Sequence, residues 1–192
     1  MEIKHHIKEE ELIKEKEWIS DAQKNPERFS KLYDKYFEGI FHFIFRRTDD
    51  EDVAGDLTSQ TFLSALQNIK KYEFRGVPFS AWLYRIAANQ VNKYYRDHKK
   101  KVVFSLEESV AWKLLDEAEE DHQEEKLSRL VSFLEELSSE DMAVLELRFF
   151  EEKGFKEIAY ILEISESGAK MRTYRAIEKL KAFFESRGAI KQ

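Results

Sequence analysis

Large apolar residues recur at helical spacing in the first third of the chain. From Phe29 to Phe45 an aromatic or aliphatic residue returns every three or four positions, which predicts a helix with an aromatic-rich buried face. A second periodic stretch runs from Leu57 to Ile69. These two patterns predict a pair of packed helices.

A loop separates this pair from a further helix. Gly76 and Pro78 stand close together, and such a pair marks a break between regular elements. Ser80 is expected to be the N-cap of the next helix, which runs into a basic cluster ending at Lys101. We expect residues 26–101 to form a first helical domain.

The pattern changes again in the middle of the chain. Residues 105–125 are acidic with few large apolar groups and are interpreted as a linker with at most fraying helix, and the linker as a whole is placed at residues 102–125. The helical period returns at Leu127, and Ser138 with Asp141 resembles a capping box. A second domain is expected over residues 126–187, and residues 1–25 are taken as an N-terminal extension.

The C-terminal pattern is that of a helix-turn-helix. A helix from Phe155 to Leu162 precedes a tight turn at residues 163–165, and Gly154 before it is expected to stop the preceding helix. The longer helix that follows is basic and continues to about Phe184. Its expected buried face consists of Ala169, Thr173, Ala176, Ile177 and Leu180, extended by Phe183.

Composition narrows the fold class and the chemistry. The 192 residues include only six Gly and two Pro, which favours an all-α fold over a many-stranded one. Without Cys there is no disulfide and no thiolate site. The five His show no metal-ligand spacing, and no phosphate loop or nucleophile motif occurs, so we expect no metal, no cofactor and no catalysis. We also expect no signal peptide and no membrane-spanning segment.

Charge is strongly segregated along the chain despite a net charge of −6. Residues 67–101 carry nine bases against two acids, and residues 166–181 carry five bases against two acids. Between them, residues 105–141 carry thirteen acids and three bases. Local potential rather than total charge attracts a phosphate backbone, so the two basic blocks are candidate nucleic-acid surfaces.

Both basic blocks have an ordinary alternative explanation. Lys170, Arg172 and Arg175 suit a groove-reading helix, but charge alone also fits a solvated face of a C-terminal helix. Bases alternate with aromatics between residues 70 and 96, as single-stranded nucleic acid requires, yet Trp82 is by itself more typical of a core residue.

The residues of these blocks resemble a known family. Residues 72–89, YEFRGVPFSAWLYRIAAN, look like region 2 of the extracytoplasmic-function (ECF) sigma factors, as does DLTSQTF at residues 56–62. Residues 147–149 (LRF), 157–159 (EIA) and the basic helix after Ile164 are similar to region 4. The resemblance implies two small helical domains, joined by the acidic linker, that bind bacterial core RNA polymerase and direct promoter recognition, DNA melting and transcription initiation.

The resemblance also implies roles for individual residues. The polymerase β′ clamp helices would bind Asp52, Asp56, Ser59, Gln60 and Phe62. The −10 promoter element, with one flipped base, would bind Lys70, Lys71, Tyr72, Phe74, Arg75, Trp82, Arg85, Asn89, Asn92, Lys93 and Arg96. The −35 element would bind Ser167, Gly168, Lys170, Met171, Arg172, Tyr174 and Arg175.

Further partners follow from the same resemblance. The polymerase β flap and an anti-sigma factor are implied, together with a cytoplasmic location and nucleoid association when polymerase is bound. The acidic linker would thread polymerase channels that otherwise carry nucleic acid.

A few positions depart from the family pattern. Ser59 and Gln60 stand where Gln-Glu is usual, and Lys93 replaces a common Asp. Glu163 stands where the turn usually has Gly, and a left-handed backbone at this position would cost a non-Gly residue roughly 1 kcal/mol or more. Gly168 and Ala169 stand where Thr and Val are frequent.

Two other function classes remain open on the residues alone. A stand-alone helix-turn-helix regulator of duplex DNA would explain the C-terminal pattern but not the aromatic-basic loop at residues 72–84. A helical interaction module with no DNA role would leave the charge segregation unexplained.

Overall fold

The computed structural model describes residues 9–98, 108–118 and 124–188, and these residues form helices joined by short turns without any strand. The all-α prediction is therefore confirmed. None of the helices in these ranges has the length and apolar character needed to cross a membrane. The helices are α1 (Glu9–Lys24), α2 (Ser30–Thr48), α3 (Glu51–Asn68), α4 (Phe79–His98), α5 (Glu108–Glu117), α6 (Glu124–Glu136), α7 (Ser139–Leu145), α8 (Phe155–Leu162) and α9 (Glu166–Gly188).

Shorter helical turns connect some of these helices. A 3-10 turn covers Pro26–Phe29, another covers Ile69–Lys71, and a π turn covers Glu146–Phe150. The chain divides into two compact units, the first built on α1 to α4 and the second on α5 to α9, with residues 160–163 grouped with the first.

The core of the first unit lies between α2, α3 and α4. Its largest fully buried side chains include Leu32 and Phe43 from α2 and Phe79 and Leu83 from α4. Helix α2 ends at Thr48 and is capped by Asp49, which has a left-handed backbone (φ 49°). The N–H of Asp49 donates to the carbonyl of Phe45 at 2.8 Å. This sharp end allows α3 to turn back and pack along α2.

The predicted N-terminal extension contains helix α1, which packs on the first unit. Ile19 and Ala22 are buried, and the Glu15 side chain is also buried, with 4% of its surface exposed. No role for these residues was predictable from composition, because acids and lysines dominate the segment. The buried positions nevertheless recur at helical spacing, so α1 is a structural part of the unit.

The second unit corrects the prediction of a linker with at most fraying helix over residues 102–125. Within that range α5 buries Ala111, Leu114, Leu115 and Ala118 against α6, α7 and α9. These apolar residues are few, but their spacing puts them on one face of a helix. Acidic composition was therefore a poor guide, because Asp116 and Glu117 of the same helix are exposed and leave the apolar face free to pack. The remaining residues of the predicted linker, 102–107 and 119–123, lie outside the described residues.

Helix α7 begins at the predicted N-cap, but it ends before the predicted stop at Gly154. Ser138 accepts a hydrogen bond from the N–H of Asp141 at 3.2 Å, which confirms the N-cap. The π turn then ends this helix four residues before Gly154. Gly154 instead starts α8: its N–H donates to Glu157 Oε2 at 3.1 Å, and its carbonyl accepts from the N–H of Ile158. The reversal at Glu152, with φ 51°, separates the two helices.

Replacing Leu114 of α5 by Ala tests whether this helix belongs to the folded core. Because Leu114 is fully buried, Leu114→Ala should lower the free energy of unfolding by about 2–5 kcal/mol. The exposed Glu117 of the same helix provides the control, and Glu117→Ala should change it by less than about 0.5 kcal/mol. Urea unfolding followed by circular dichroism measures both free energies. Equal, small effects would show that α5 is not part of the folded core.

Candidate nucleic-acid interfaces

Helix α4 exposes a stripe of polar, basic and aromatic side chains opposite its buried face. Phe79, Leu83, Ala87 and Val91 are fully buried at spacings of four. The opposite positions are exposed or half-buried: Trp82, Arg85, Asn89, Asn92, Lys93 and Arg96. All six were predicted to lie along the −10 strand, and the helix brings them onto one continuous surface. Trp82 is half-buried, so it is not the simple core residue that its type alone suggests.

The loop before α4 presents the remaining −10 candidates. Lys70, Lys71, Phe74 and Arg75 are exposed, and about half of the Phe74 surface (49%) is open to solvent. Gly76 adopts φ 73°, a backbone conformation that L side chains rarely adopt, so glycine is needed where the loop reverses direction. Val77, which is 5% exposed, anchors the loop to the unit after that reversal.

Tyr72 joins the loop to the start of α4. Its ring centroid lies 5.1 Å from that of Phe79 and 4.8 Å from that of Trp82. Burial raises the pKa of the Tyr72 phenol above its ordinary value, and the Glu15 carboxylate raises it further. The hydroxyl therefore stays protonated and neutral at any pH at which the protein works.

The loop and α4 share a pocket in the first unit. Lys71, Tyr72 and Arg75 from the loop and Trp82 and Arg85 from α4 are among its lining residues. Aromatic rings can stack on an unpaired base, and the basic groups beside them can neutralise its phosphates. The arrangement is chemically suited to an extruded nucleotide.

A separate face of α3 presents the predicted polymerase-binding residues. Asp52, Asp56, Ser59 and Gln60 are exposed at helical spacing. Phe62 is the exception, because only 4% of its surface is exposed.

The core position of Phe62 is explained by its aromatic neighbours. Its ring packs against Phe29, Tyr33 and Phe37 at centroid distances of 6.4, 4.8 and 6.3 Å. The prediction of a direct Phe62 contact is corrected, since the side chain supports the helix from inside. Leu63 was not among the predicted residues of this face, yet it is 54% exposed. Its spacing of seven residues, or two helical turns, from Asp56 places it on the same side of α3.

The second unit carries the helix-turn-helix end of the chain. The predicted buried face of α9 is confirmed, since Ala169, Thr173, Ala176, Ile177 and Leu180 are all buried and Phe183 is partly buried against the same core. The predicted −35 residues lie on the other faces. Ser167, Lys170, Met171, Tyr174 and Arg175 are exposed, while Gly168 and Arg172 are half-buried.

The turn before α9 and the start of that helix contain two residues that depart from the family pattern. Glu163 has φ 57°, so the turn has the left-handed backbone that favours Gly although a non-Gly residue occupies it. Ser165 caps α9 by accepting from the N–H of Gly168 at 3.0 Å. A Cβ at position 168 would lie 2.9 Å from that Ser165 oxygen, so glycine leaves room for the cap.

Comparison with known proteins decides the family. The family model described as Sigma-70 region 2 matches residues 32–101, and the one described as Sigma-70, region 4 matches residues 127–180. The ECF RNA polymerase sigma factor SigM of Bacillus subtilis is 31% identical over 156 residues, which cover 80% of this chain and 93% of SigM. The chain belongs to the ECF sigma factors.

Other relatives and solved structures agree. RNA polymerase sigma factor YlaC of Bacillus subtilis is 33% identical over 165 residues, covering 82% of this chain and 92% of YlaC. CnrH, solved in complex with the cytosolic domain of CnrY, shares the fold with a TM-score of 0.62 at 21% identity, over 90% of this chain and 97% of that one. RpoE of Bartonella quintana, solved in complex with the anti-sigma factor NepR, shares the fold with a TM-score of 0.55 at 20% identity. The match covers 82% of this chain and 96% of RpoE.

Family membership fixes the function in general terms. This sigma factor binds core RNA polymerase and directs promoter recognition, DNA melting and transcription initiation. The alternative of a stand-alone duplex-DNA regulator is set aside, because both sigma regions are present in order. Sigma factors are not enzymes, and the polymerase supplies the chemistry.

Proposed function

We propose that the two units divide the work of promoter recognition: the first binds polymerase and the −10 element, and α9 of the second reads the −35 element. The observation that supports this most strongly is the continuous surface formed by the α4 stripe and the pocket beside it. Aromatic and basic side chains meet there in the combination that an unpaired DNA strand requires.

The −10 step would use the pocket and the stripe in succession. A base extruded from the non-template strand would enter beside Tyr72 and Trp82, whose rings lie 4.8 Å apart. Extruding a base costs a few kcal/mol, which stacking and contacts in the pocket would offset. The strand would then follow Asn89, Lys93 and Arg96 along α4, where each cation lies near a phosphate.

The −35 step would use the exposed side of α9. Arg175 and Lys170 are exposed near the start of the helix, the part that enters the major groove in helix-turn-helix proteins. Arg can form two hydrogen bonds with guanine, whereas Lys mainly neutralises phosphate. Tyr174 and Met171 lie beside them, with 49% and 50% of their surfaces exposed, and add apolar contact.

Polymerase would bind the polar face of α3. Asp52 and Asp56 offer carboxylates, Ser59 and Gln60 offer hydrogen bonds, and Leu63 adds an apolar contact at the same face. Phe62 would contribute by holding α3 in place from the core.

Regulation and location are proposed from the family. An anti-sigma factor would hold this sigma factor inactive until a signal releases it, as the complex of RpoE with NepR suggests. The protein would act in the cytoplasm, on the nucleoid when bound to polymerase. An added anti-sigma protein should abolish transcription that depends on this chain, and excess sigma factor should restore it.

Run-off transcription with bacterial core polymerase tests the proposal directly. A library of promoter fragments transcribed with and without the protein should yield dependent transcripts that share two sequence elements at a fixed spacing. If no transcripts appear, and the protein binds duplex DNA tightly without polymerase, the division of work proposed here is wrong.

Substitutions of Arg175 and Lys93 should affect different promoter elements. Arg175→Ala should reduce transcription about tenfold and lessen the penalty of mutating the −35 element, because its base contact is already lost. Lys93→Ala should likewise reduce transcription and lessen the penalty of mutating the −10 element. The exposed Arg28, away from both faces, provides the control as Arg28→Ala. Loss of core polymerase binding in either variant would contradict the assignment.

Charge reversal on α3 should weaken polymerase binding without affecting DNA readout. Asp56→Lys should raise the Kd for core polymerase about tenfold, because the exposed carboxylate proposed to contact the clamp is replaced by a group of opposite charge. Glu27→Lys makes the same change at an exposed site outside this face. Fluorescence anisotropy measures both affinities, and equal effects would show that only net charge matters.

A further inference from the structure

We propose that helix α1 is a positioning element for the −10 loop, and that Gln23 is its main contact. The proposal rests on the assignment of residues 70–75 to −10 recognition. It gives a function to the segment for which the sequence predicted only an extension. Three side chains of α1 reach the loop at its start, its middle and its end.

Gln23 binds the start of the loop through its side-chain amide. Nε2 donates one hydrogen bond to the carbonyl of Ile69 at 3.1 Å and a second to the carbonyl of Tyr72 at 2.9 Å. Both amide protons are therefore used. The N–H of Tyr72 also donates to the Ile69 carbonyl at 3.0 Å, closing the 3-10 turn. Gln23 thus fixes the direction in which the chain leaves α3.

Glu15 binds the end of the loop, where α4 begins. Its Oε2 accepts a hydrogen bond from the N–H of Phe79 at 3.0 Å. Its other oxygen accepts from the Tyr36 hydroxyl and from Lys35 Nζ, the latter at 3.5 Å. A carboxylate at this point satisfies an N–H that the first turn of α4 leaves without a helical partner. Because Glu15 is buried, its position is set by the core.

Lys16 reaches the middle of the loop. Its Nζ lies 4.9 Å from the centre of the Phe74 ring, within the range of a cation–π contact. Phe74 is otherwise half exposed, so this contact limits the directions in which its ring can point. Lys16 also adds a positive charge next to the predicted −10 residues.

The hydrogen bonds of Gln23 and Glu15 hold the two ends of the loop without covering its basic side chains. At residues 69, 72 and 79 they end on main-chain atoms. The side chains of Lys70, Lys71 and Arg75 remain exposed. Such support reduces the entropy that the loop loses when it captures a base, because its ends are already fixed.

The test compares promoter discrimination in Gln23→Met, which keeps the length of the side chain but removes both donors. The measured quantity is the ratio of run-off transcription from a promoter with an intact −10 element to transcription from one with a substituted −10 base. Gln23→Met should lower this ratio roughly three- to tenfold. The corresponding −35 ratio and the Kd for core polymerase should not change.

Controls separate positioning from general loss of stability. Glu17→Gln exchanges a carboxylate for an amide at an exposed site of α1 and should leave both ratios unchanged. If Gln23→Met folds poorly, Lys16→Ala removes only the exposed contact with Phe74 and should lower the −10 ratio about twofold. An unchanged −10 ratio, or an equal fall in both ratios, would overturn the inference.

A second pair of variants distinguishes this inference from the proposed function. Lys71→Ala and Arg75→Ala alter the loop itself and must lower the −10 ratio if residues 70–75 read that element. If the loop variants lower the −10 ratio and the α1 variants leave it unchanged, only the positioning role of α1 is wrong. If the loop variants also leave the −10 ratio unchanged, the −10 assignment is wrong, and the role of α1 in recognition is wrong with it.

Discussion

The burial of one face of α4 is the constraint on which the first unit depends. Phe79, Leu83, Ala87 and Val91 pack into the core with no surface exposed. Because a helix repeats every 3.6 residues, fixing this face also fixes the opposite one, from Trp82 to Arg96. The exposed stripe extends over roughly 21 Å at 1.5 Å per residue. The distances between its polar groups are therefore set by packing, before any DNA is present.

Charge supplies the second constraint, and it acts locally. The chain is acidic overall, yet residues 67–101 carry nine bases against two acids. The acids are concentrated in residues 105–141, which in this structure include α5, α6 and the start of α7 rather than only a linker. A DNA strand is therefore attracted to two limited regions and repelled from the segment between them. Such a pattern disfavours binding to DNA at random, which suits a protein that works on polymerase.

Helical periodicity made much of this arrangement predictable. The buried face of α9 and the loop at Gly76 follow from residue type and spacing. The left-handed turn at Glu163 follows only from the family pattern, because Glu does not favour that backbone. The burial of Phe62 agrees with the apolar period from Leu57 to Ile69. The direct contact expected of Phe62 came from the motif, which does not specify the side of the helix on which a residue lies. Helix α5 and the contacts of α1 were missed for another reason. In both segments a few apolar or amide residues determine the packing, while numerous charged residues dominate the composition.

The hydrogen bonds of Gln23 have a consequence for how promoter preference can change. Both bonds end on carbonyl oxygens, which every amino acid possesses. The identities of the side chains at positions 70, 71 and 73 are therefore independent of this attachment, whereas Phe74 also contacts Lys16. A loop of the same length but different sequence at those three positions can occupy the same frame, provided that Gly76 keeps its positive φ. Under the proposed −10 role of this loop, promoter preference would then be changed by replacing these few side chains, with the surrounding helices left unaltered.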